Sequence, residues 1–182
     1  ASFGASVPTG SIHEKGASND AMYPDKRYPY NMQPGSGSVE LLPGVTYTYQ
    51  KNSFAWSSSA AGVYRTNYNT IGYKLSPELN LNSWIAYQWQ SFISSSLRLD
   101  GNFSGQIQGV DPQQYTSLEP ATNPHSYGGE KIGVYIGSSC HFKGALIKHR
   151  LSAEFGVPIY QSLYGVQLKQ KYTINASWNY RF

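Results

Sequence analysis

The stretch KYTINASWNYRF, residues 171–182, alternates between two kinds of side chain along its whole length. Its even positions are apolar or aromatic: Tyr172, Ile174, Ala176, Trp178, Tyr180 and Phe182. Its odd positions are polar or charged: Lys171, Thr173, Asn175, Ser177, Asn179 and Arg181. Because successive residues of a β-strand point to opposite faces, the stretch predicts a strand with one apolar and one polar face. The fold class then depends on whether the apolar face meets a protein core or a membrane.

The composition favours a membrane. Charged residues make up 13% of the chain, whereas soluble proteins carry about 25%. Aromatic residues make up 15%, with 16 Tyr and 4 Trp. No stretch approaches the roughly 18 to 20 consecutive apolar residues of a membrane-spanning helix, so the sequence excludes that class. Low charge and abundant aromatic residues without long apolar runs are typical of transmembrane β-barrels, where only every second residue meets lipid.

Other features of the composition limit the possible functions. The 182 residues fit one domain, 1–182. The single Cys140 excludes an intrachain disulfide and forms no zinc pattern. The net charge is +4 with scattered basic residues, so we predict no nucleic-acid partner. We also predict no cofactor. No signal peptide is present at Ala1, so one was removed or the chain begins inside a longer precursor.

The same alternation recurs in segments of about ten residues, the length that a tilted strand needs to cross the hydrocarbon layer. The eight predicted strands are 1–8, 38–50, 54–65, 78–90, 92–104, 130–142, 147–158 and 171–182. Long loops are predicted at 9–37, 66–77, 105–129 and 159–170, and short turns at 51–53, 90–91 and 143–146. Long extracellular loops alternating with short periplasmic turns are typical of outer-membrane barrels.

We therefore predict an all-β fold, an antiparallel up-and-down transmembrane β-barrel in the outer membrane of a Gram-negative bacterium, with both termini periplasmic. The soluble alternative is an antiparallel sandwich or a lipocalin-like barrel, which also alternates. Strands near ten residues exceed the usual five to six, and few Lys or Glu are present to solvate an outer surface. Both observations favour the membrane barrel.

The alternation assigns candidate residues to the two faces. The lumen-lining candidates are Glu40, Arg98, Asp100, Lys131, Arg150 and Glu154. They form either a pathway that selects solutes by charge or ion pairs that plug a narrow barrel. The lipid-facing candidates, including an aromatic girdle, are Tyr47, Tyr49, Trp89, Phe103, Leu151, Phe155, Ile174, Trp178 and Tyr180. Tyr180 and Phe182 also resemble the signal by which the outer-membrane assembly machinery recognises a last strand.

Four segments together resemble a known family. They are PTGSI (8–12), PYNMQPGSGSVELLPGVTY (29–47), SLRLDGNFSGQIQGVDPQ (96–113) and KGALIKHRLSAEFGVPIYQSLYGVQLKQKYTINASWNYRF (143–182). In order and spacing they resemble the outer-membrane "transporter" barrels of phenol meta-pathway degradation, and the last 40 residues carry most of the weight. Members of that family have further strands ahead of PTGSI. The resemblance thus implies either a shortened member or the C-terminal part of a roughly twelve-stranded barrel.

The resemblance implies a passive channel or uptake protein for small aromatic or apolar compounds. Implied partners are outer-membrane lipid and lipopolysaccharide, the barrel assembly machinery, a small-molecule solute, and other subunits of an oligomer or larger complex. The alternative function is a plugged structural barrel that scaffolds a complex or presents its loops. Eight strands close around an interior filled by side chains, whereas about twelve leave room for passage. Loop 9–37, rich in Tyr and Pro, is either a lid or a surface interaction element.

The four histidines are candidates for catalytic or metal-binding groups. His125 with Asp111, or His13 with Glu14 and Asp20, would make a hydrolase site at the outer rim. Nothing in their spacing requires such a site, and we predict that the protein is not an enzyme. His141 and His149 flank a turn and would approach across a hairpin to bind a metal. Without a third ligand we predict no metal site.

Overall fold

The computed structural model describes residues 1–17, 25–114, 119–142 and 149–180. The fold is all-β, as predicted. The helical elements of the described residues are three short 3-10 turns, Tyr30–Met32, Pro120–Thr122 and Pro124–Ser126. None of the described helices has the length and apolar character needed to span a membrane.

Twelve strands are described. In chain order they are β1 (Ser2–Ser6), β2 (Lys15–Ala17), β3 (Asp25–Arg27), β4 (Glu40–Lys51), β5 (Phe54–Arg65), β6 (Tyr73–Lys74), β7 (Glu78–Gln90), β8 (Ile93–Ser104), β9 (Gln108–Gly109), β10 (Gly129–His141), β11 (His149–Leu163) and β12 (Thr173–Tyr180). Eight of them form one antiparallel sheet in the order β1-β4-β5-β7-β8-β10-β11-β12. The pairs β2–β3 and β6–β9 form two small ribbons in the loops. The predicted eight-stranded up-and-down order is therefore confirmed.

The two outer strands of the sheet are each paired on one side only. β1 pairs with β4 alone, and Ser2 lies opposite Gly44, near the middle of that strand. β12 pairs with β11 alone, from His149 to Gly156. Within the described residues β1 and β12 do not pair, so the sheet is not closed into a barrel there.

The sheet has a turn end and a loop end. At the turn end, β4 and β5 are joined by Asn52 and Ser53, and Asn52 has a positive φ of 53°. Asn is one of the few residues other than Gly that tolerate this conformation in a tight hairpin turn. The predicted turn 143–146 lies outside the described residues. At the loop end, the long connections carry β2, β3, β6, β9 and the 3-10 turns.

The largest difference from the predicted strand bounds is in β11. β11 continues to Leu163, although 159–170 was predicted as a loop. Gly133 lies opposite Pro158 and Ile132 opposite Tyr160, so Ile159 is an extra residue in β11, a β-bulge. The bulge shifts the alternation by one residue. Residues 159–163 therefore do not continue the apolar–polar alternation of 147–158, and the pattern does not predict them as strand.

The buried apolar residues lie in the loops. Tyr30, Tyr73 and Ile107 form the one buried cluster that the described residues contain, and the ring centroids of the two tyrosines are 4.8 Å apart. Ile71, Leu75 and Tyr127 pack against this cluster. We call the described parts of 7–39, 66–77 and 105–128 the loop cap. Loop 9–37 thus packs into the cap through Tyr30.

Candidate functional site

The sheet has an exposed apolar face. On it lie all the described residues that were predicted to face lipid: Tyr47, Tyr49, Trp89, Phe103, Leu151, Phe155, Ile174, Trp178 and Tyr180. Phe182 lies outside the described residues. Ile136 and Ile174 are 66% and 68% exposed, whereas the side chains of Arg98 and Glu154 on the other face are 23% and 21% exposed. Isoleucines more exposed than an arginine and a glutamate reverse the usual arrangement of a soluble protein.

The apolar face is nearly free of charge. Among the described long strands, Lys51 and Glu130 are its only Lys, Arg, Asp or Glu residues, and both lie at strand ends. Its indole N–H groups donate hydrogen bonds within the same face: Trp56 to Ser83 Oγ (3.3 Å), Trp89 to Ser95 Oγ (2.8 Å) and Trp178 to His149 Nδ1 (2.9 Å). Tryptophans that face water have no need of such partners, because water accepts from the indole N–H.

The polar face lines an open cavity. The predicted lumen residues Glu40, Arg98, Asp100, Lys131, Arg150 and Glu154 all lie on this face. A cavity of about 590 Å³ is lined by residues from the β4–β5 turn, such as Asn52, across to Asn175 and Ser177 of β12. Because distant strands line one cavity, the sheet curls around its polar face. Serines from β8, β10, β11 and β12 contribute much of the lining.

An ion pair crosses this face, and both of its residues line the cavity. Arg98 of β8 donates to both carboxylate oxygens of Glu154 of β11, from Nε at 3.0 Å and from Nη2 at 2.5 Å. Nη1 of the same arginine is 3.6 Å from Asp100. The amides of Asn82 and Asn175 donate to Asp100 and Glu154, both at 3.2 Å. The network joins side chains from β7 to β12, and with Tyr135 we call it the polar belt.

Glycines make room for the belt. Arg98 passes over β10, where its guanidinium carbon is 3.9 Å from the centroid of the Tyr135 ring, a cation–π contact. The Tyr135 ring occupies the space that a Cβ at Gly156 would need, since that atom would come within 2.0 Å of the ring. A Cβ at Gly133 would come within 2.9 Å of it. The alternation in the sequence places Tyr135 and Gly156 on the polar face, but it did not predict their contact or identify Tyr135, Gly133 and Gly156 as site residues.

A second arginine cluster lies at the loop end of the sheet. Arg65 Nε is 3.0 Å from Glu40 Oε1, and Arg65 Nη1 is 3.0 Å from Glu78 Oε1. Arg65 also donates to the backbone oxygen of Ser76. The cluster ties β4, β5 and β7 together, so Glu40 acts as one member of an ion-pair network.

The loop cap contains its own buried ion pair. Arg27 Nη1 is 2.6 Å from Asp111 Oδ2, and their side chains are 8% and 0% exposed. The backbone N–H of Asp111 donates to the Tyr30 hydroxyl at 3.0 Å. Burial raises the pKa of Tyr30 and also that of Tyr73. The cap is thus held by charge pairing as well as by apolar contact.

The structure does not assemble the histidine sites that were considered. Asp111 is bound to Arg27, whereas His125 is exposed and its Nδ1 contacts Gln106 at 3.0 Å. His13 and Glu14 are exposed, and Asp20 lies outside the described residues. His141 and His149 lie on opposite faces of the sheet, because Arg150 and not His149 is paired with His141. The described residues hold no cluster of three or more potential metal ligands.

The two remaining polar-face cations differ from the others. Arg150 donates from Nη2 to Ser139 Oγ at 3.1 Å. Lys131 lies opposite Asn102 and Gln161. Neither has a carboxylate oxygen within 4.0 Å among the residues that the structure describes.

Comparison of the chain with models of protein families, with curated proteins and with solved structures gave no significant match. The resemblance to the phenol meta-pathway transporter barrels therefore remains a prediction from the sequence.

Proposed function

We propose that the protein is an outer-membrane β-barrel whose polar face lines a lumen through which small solutes pass. The observation that carries the proposal is the inverted sheet: its apolar face, charged only at strand ends, is exposed, and its polar face lines a cavity of about 590 Å³. A charged side chain facing mid-bilayer in such a barrel costs about 2 to 4 kcal/mol. Because the charged residues of the apolar face lie only at strand ends, the sheet avoids this cost.

Closure of the sheet is part of the proposal. Unpaired backbone groups in hydrocarbon cost several kcal/mol each, so a spanning sheet cannot keep open edges. Strands alternate in direction along the sheet, and β1 and β12 therefore run antiparallel. That is the relation that pairing between them requires.

The cavity favours small solutes that carry a polar group. Its lining combines hydroxyl and amide groups with the aromatic side chain of Trp84, which lies on the polar face. A compact aromatic compound with a hydroxyl or similar group would find both kinds of contact there. The sequence resemblance to transporter barrels supports the same class of cargo.

Solute flux into proteoliposomes tests the proposal. Purified protein reconstituted in lipid vesicles should accelerate the entry of a small phenol-sized solute over protein-free vesicles, and exclude a solute several times larger than the cavity. Protein with the same strand content after reconstitution that gives no flux for any solute would remove the transport proposal.

The second candidate is a structural barrel plugged by the polar belt. The belt crosses the polar face from β8 to β11, in space that a solute must cross. The double variant Arg98→Ala/Glu154→Ala separates the candidates, since removing the belt would create flux in a plugged barrel. In a channel it would change an existing flux.

A further inference from the structure

Arg150 differs from the other described arginines. Four arginines are described, and three form ion pairs with carboxylates: Arg27 with Asp111, Arg65 with Glu40 and Glu78, and Arg98 with Glu154 and Asp100. Arg150 is exposed and donates only one described hydrogen bond, to a serine hydroxyl. Its guanidinium therefore has donor N–H groups left for an anion.

The surroundings of Arg150 are rich in hydroxyl groups. Arg150 lines the cavity together with His141, its cross-strand neighbour, and with Ser139, Ser152 and Ser177. Among the described residues, Glu154 is the only acidic one that lines this cavity. Its carboxylate is already bound by Arg98, so the described lining offers Arg150 no free carboxylate.

We propose that Arg150 binds the carboxylate of a small organic acid at the turn-end mouth of the cavity. A planar guanidinium presents paired N–H donors that match the two oxygens of a carboxylate. Serine hydroxyls beside it donate further hydrogen bonds, and a cavity of about 590 Å³ lies in the range of small-molecule sites, about 300 to 1,000 Å³. The inference that the bound acid is a transported solute rests on the proposed function, whereas the binding of a carboxylate by Arg150 does not.

Calorimetric titration with benzoate and with the uncharged benzamide tests the site, using the folded protein in detergent at low salt. We expect benzoate to bind at least tenfold more tightly than benzamide. Arg150→Gln should weaken benzoate binding at least tenfold and leave benzamide unchanged. Arg150→Lys should have an intermediate effect, because lysine keeps the positive charge but lacks the paired N–H donors of the guanidinium. The matched control is Lys131→Gln, which removes a polar-face cation that does not line this cavity.

The outcomes separate the site from the transport proposal. Equal binding of benzoate to the wild type and to Arg150→Gln would overturn the site, and so would equal weakening by Lys131→Gln or equal binding of the two probes. Far-ultraviolet circular dichroism confirms that each variant keeps its strands. If the protein binds benzoate through Arg150 but passes no solute, the Arg150 site is supported and the channel function is contradicted. If it passes solute but does not bind benzoate, the channel function is supported and the Arg150 site is contradicted.

Discussion

Gly156 determines whether the polar belt forms. The Tyr135 ring lies where a Cβ at this position would be, 2.0 Å from the nearest ring atom, and Arg98 stacks on that ring. Gly156→Ala should therefore displace the ring and destabilise the protein by about 1 to 3 kcal/mol, the usual cost of overpacking. Urea unfolding in detergent, followed by tryptophan fluorescence, measures the change.

Two further variants test this explanation of Gly156. Gly4→Ala is the control, since its added Cβ would have its nearest neighbour at 3.6 Å, an ordinary contact. It should change the free energy of unfolding little. In a Tyr135→Ala background Gly156→Ala should lose most of its cost, because the clashing ring is gone. An unchanged cost in that background would contradict the explanation.

Asp111 is the most buried charged residue in the loop cap. Replacing it with Asn leaves the Arg27 guanidinium buried without its counter-charge, and breaking a buried pair costs on the order of 3 to 5 kcal/mol. We expect Asp111→Asn to open the cap, measured as faster proteolysis of the loops at unchanged strand content. Glu119→Gln breaks the exposed Lys26–Glu119 pair, whose expected worth is at most about 1 kcal/mol. Equal proteolysis of the two variants would show that burial is not the cause.

The face on which each side chain lies could be predicted from the sequence, but its contacts could not. Parity assigned Arg98 and Glu154 to the polar face, because alternation is local information. The alternation does not predict that Arg98 and Glu154 pair with each other. Their contact crosses β10, and it depends on the strand register, the curvature of the sheet and the space left by Gly156. The cap residues Tyr30 and Tyr73 were missed for a related reason. They lie in segments without periodicity, where burial depends on how distant loops pack.

The elements were predictable where the alternation is unbroken. β5 and β7 have the predicted bounds, 54–65 and 78–90. Short turns join β4 to β5 and β7 to β8, so the sequence predicts directly that these strands are neighbours. The prediction failed at β11, where the bulge at Ile159 reverses the parity. A single inserted residue thus hid five strand residues, Ile159 to Leu163.

The two faces of β12 make a direct test of membrane insertion. Ile174 and Thr173 are adjacent, and they lie on the apolar and polar faces. If the apolar face meets lipid, Ile174→Arg should destabilise the folded protein by about 2 to 4 kcal/mol. Thr173→Arg should cost less, because its side chain enters the polar interior. Reversible unfolding in lipid vesicles gives both values, and similar costs at the two positions would contradict a lipid-facing apolar surface.

The loop cap as a whole should respond to alkaline pH. Burial raises the pKa of Tyr30 and Tyr73, so the folded cap favours their neutral form. Their contribution to stability is complete below the unfolded value of about 10 and is lost as the pH rises through the raised pKa. The near-ultraviolet circular dichroism of the cap should therefore fall reversibly above about pH 10, while the far-ultraviolet strand signal persists. Tyr73→Phe should make this loss shallower, and Phe at the exposed Tyr28 should not.

The two open edges of the sheet, β1 and β12, allow closure of the barrel to be tested. A sheet that crosses a membrane must pair its edges, and β1 and β12 have the directions needed to pair with each other. With Cys140 replaced by Ser, Phe3→Cys should form a disulfide within one molecule when combined with Cys at Tyr172, Ile174 or Ala176, since a disulfide needs Cα atoms within about 7 Å. Cys at Leu97 on β8 is the control and should not cross-link with position 3. Disulfides that form only between molecules, or at none of the three positions, would contradict closure of the barrel through β1 and β12.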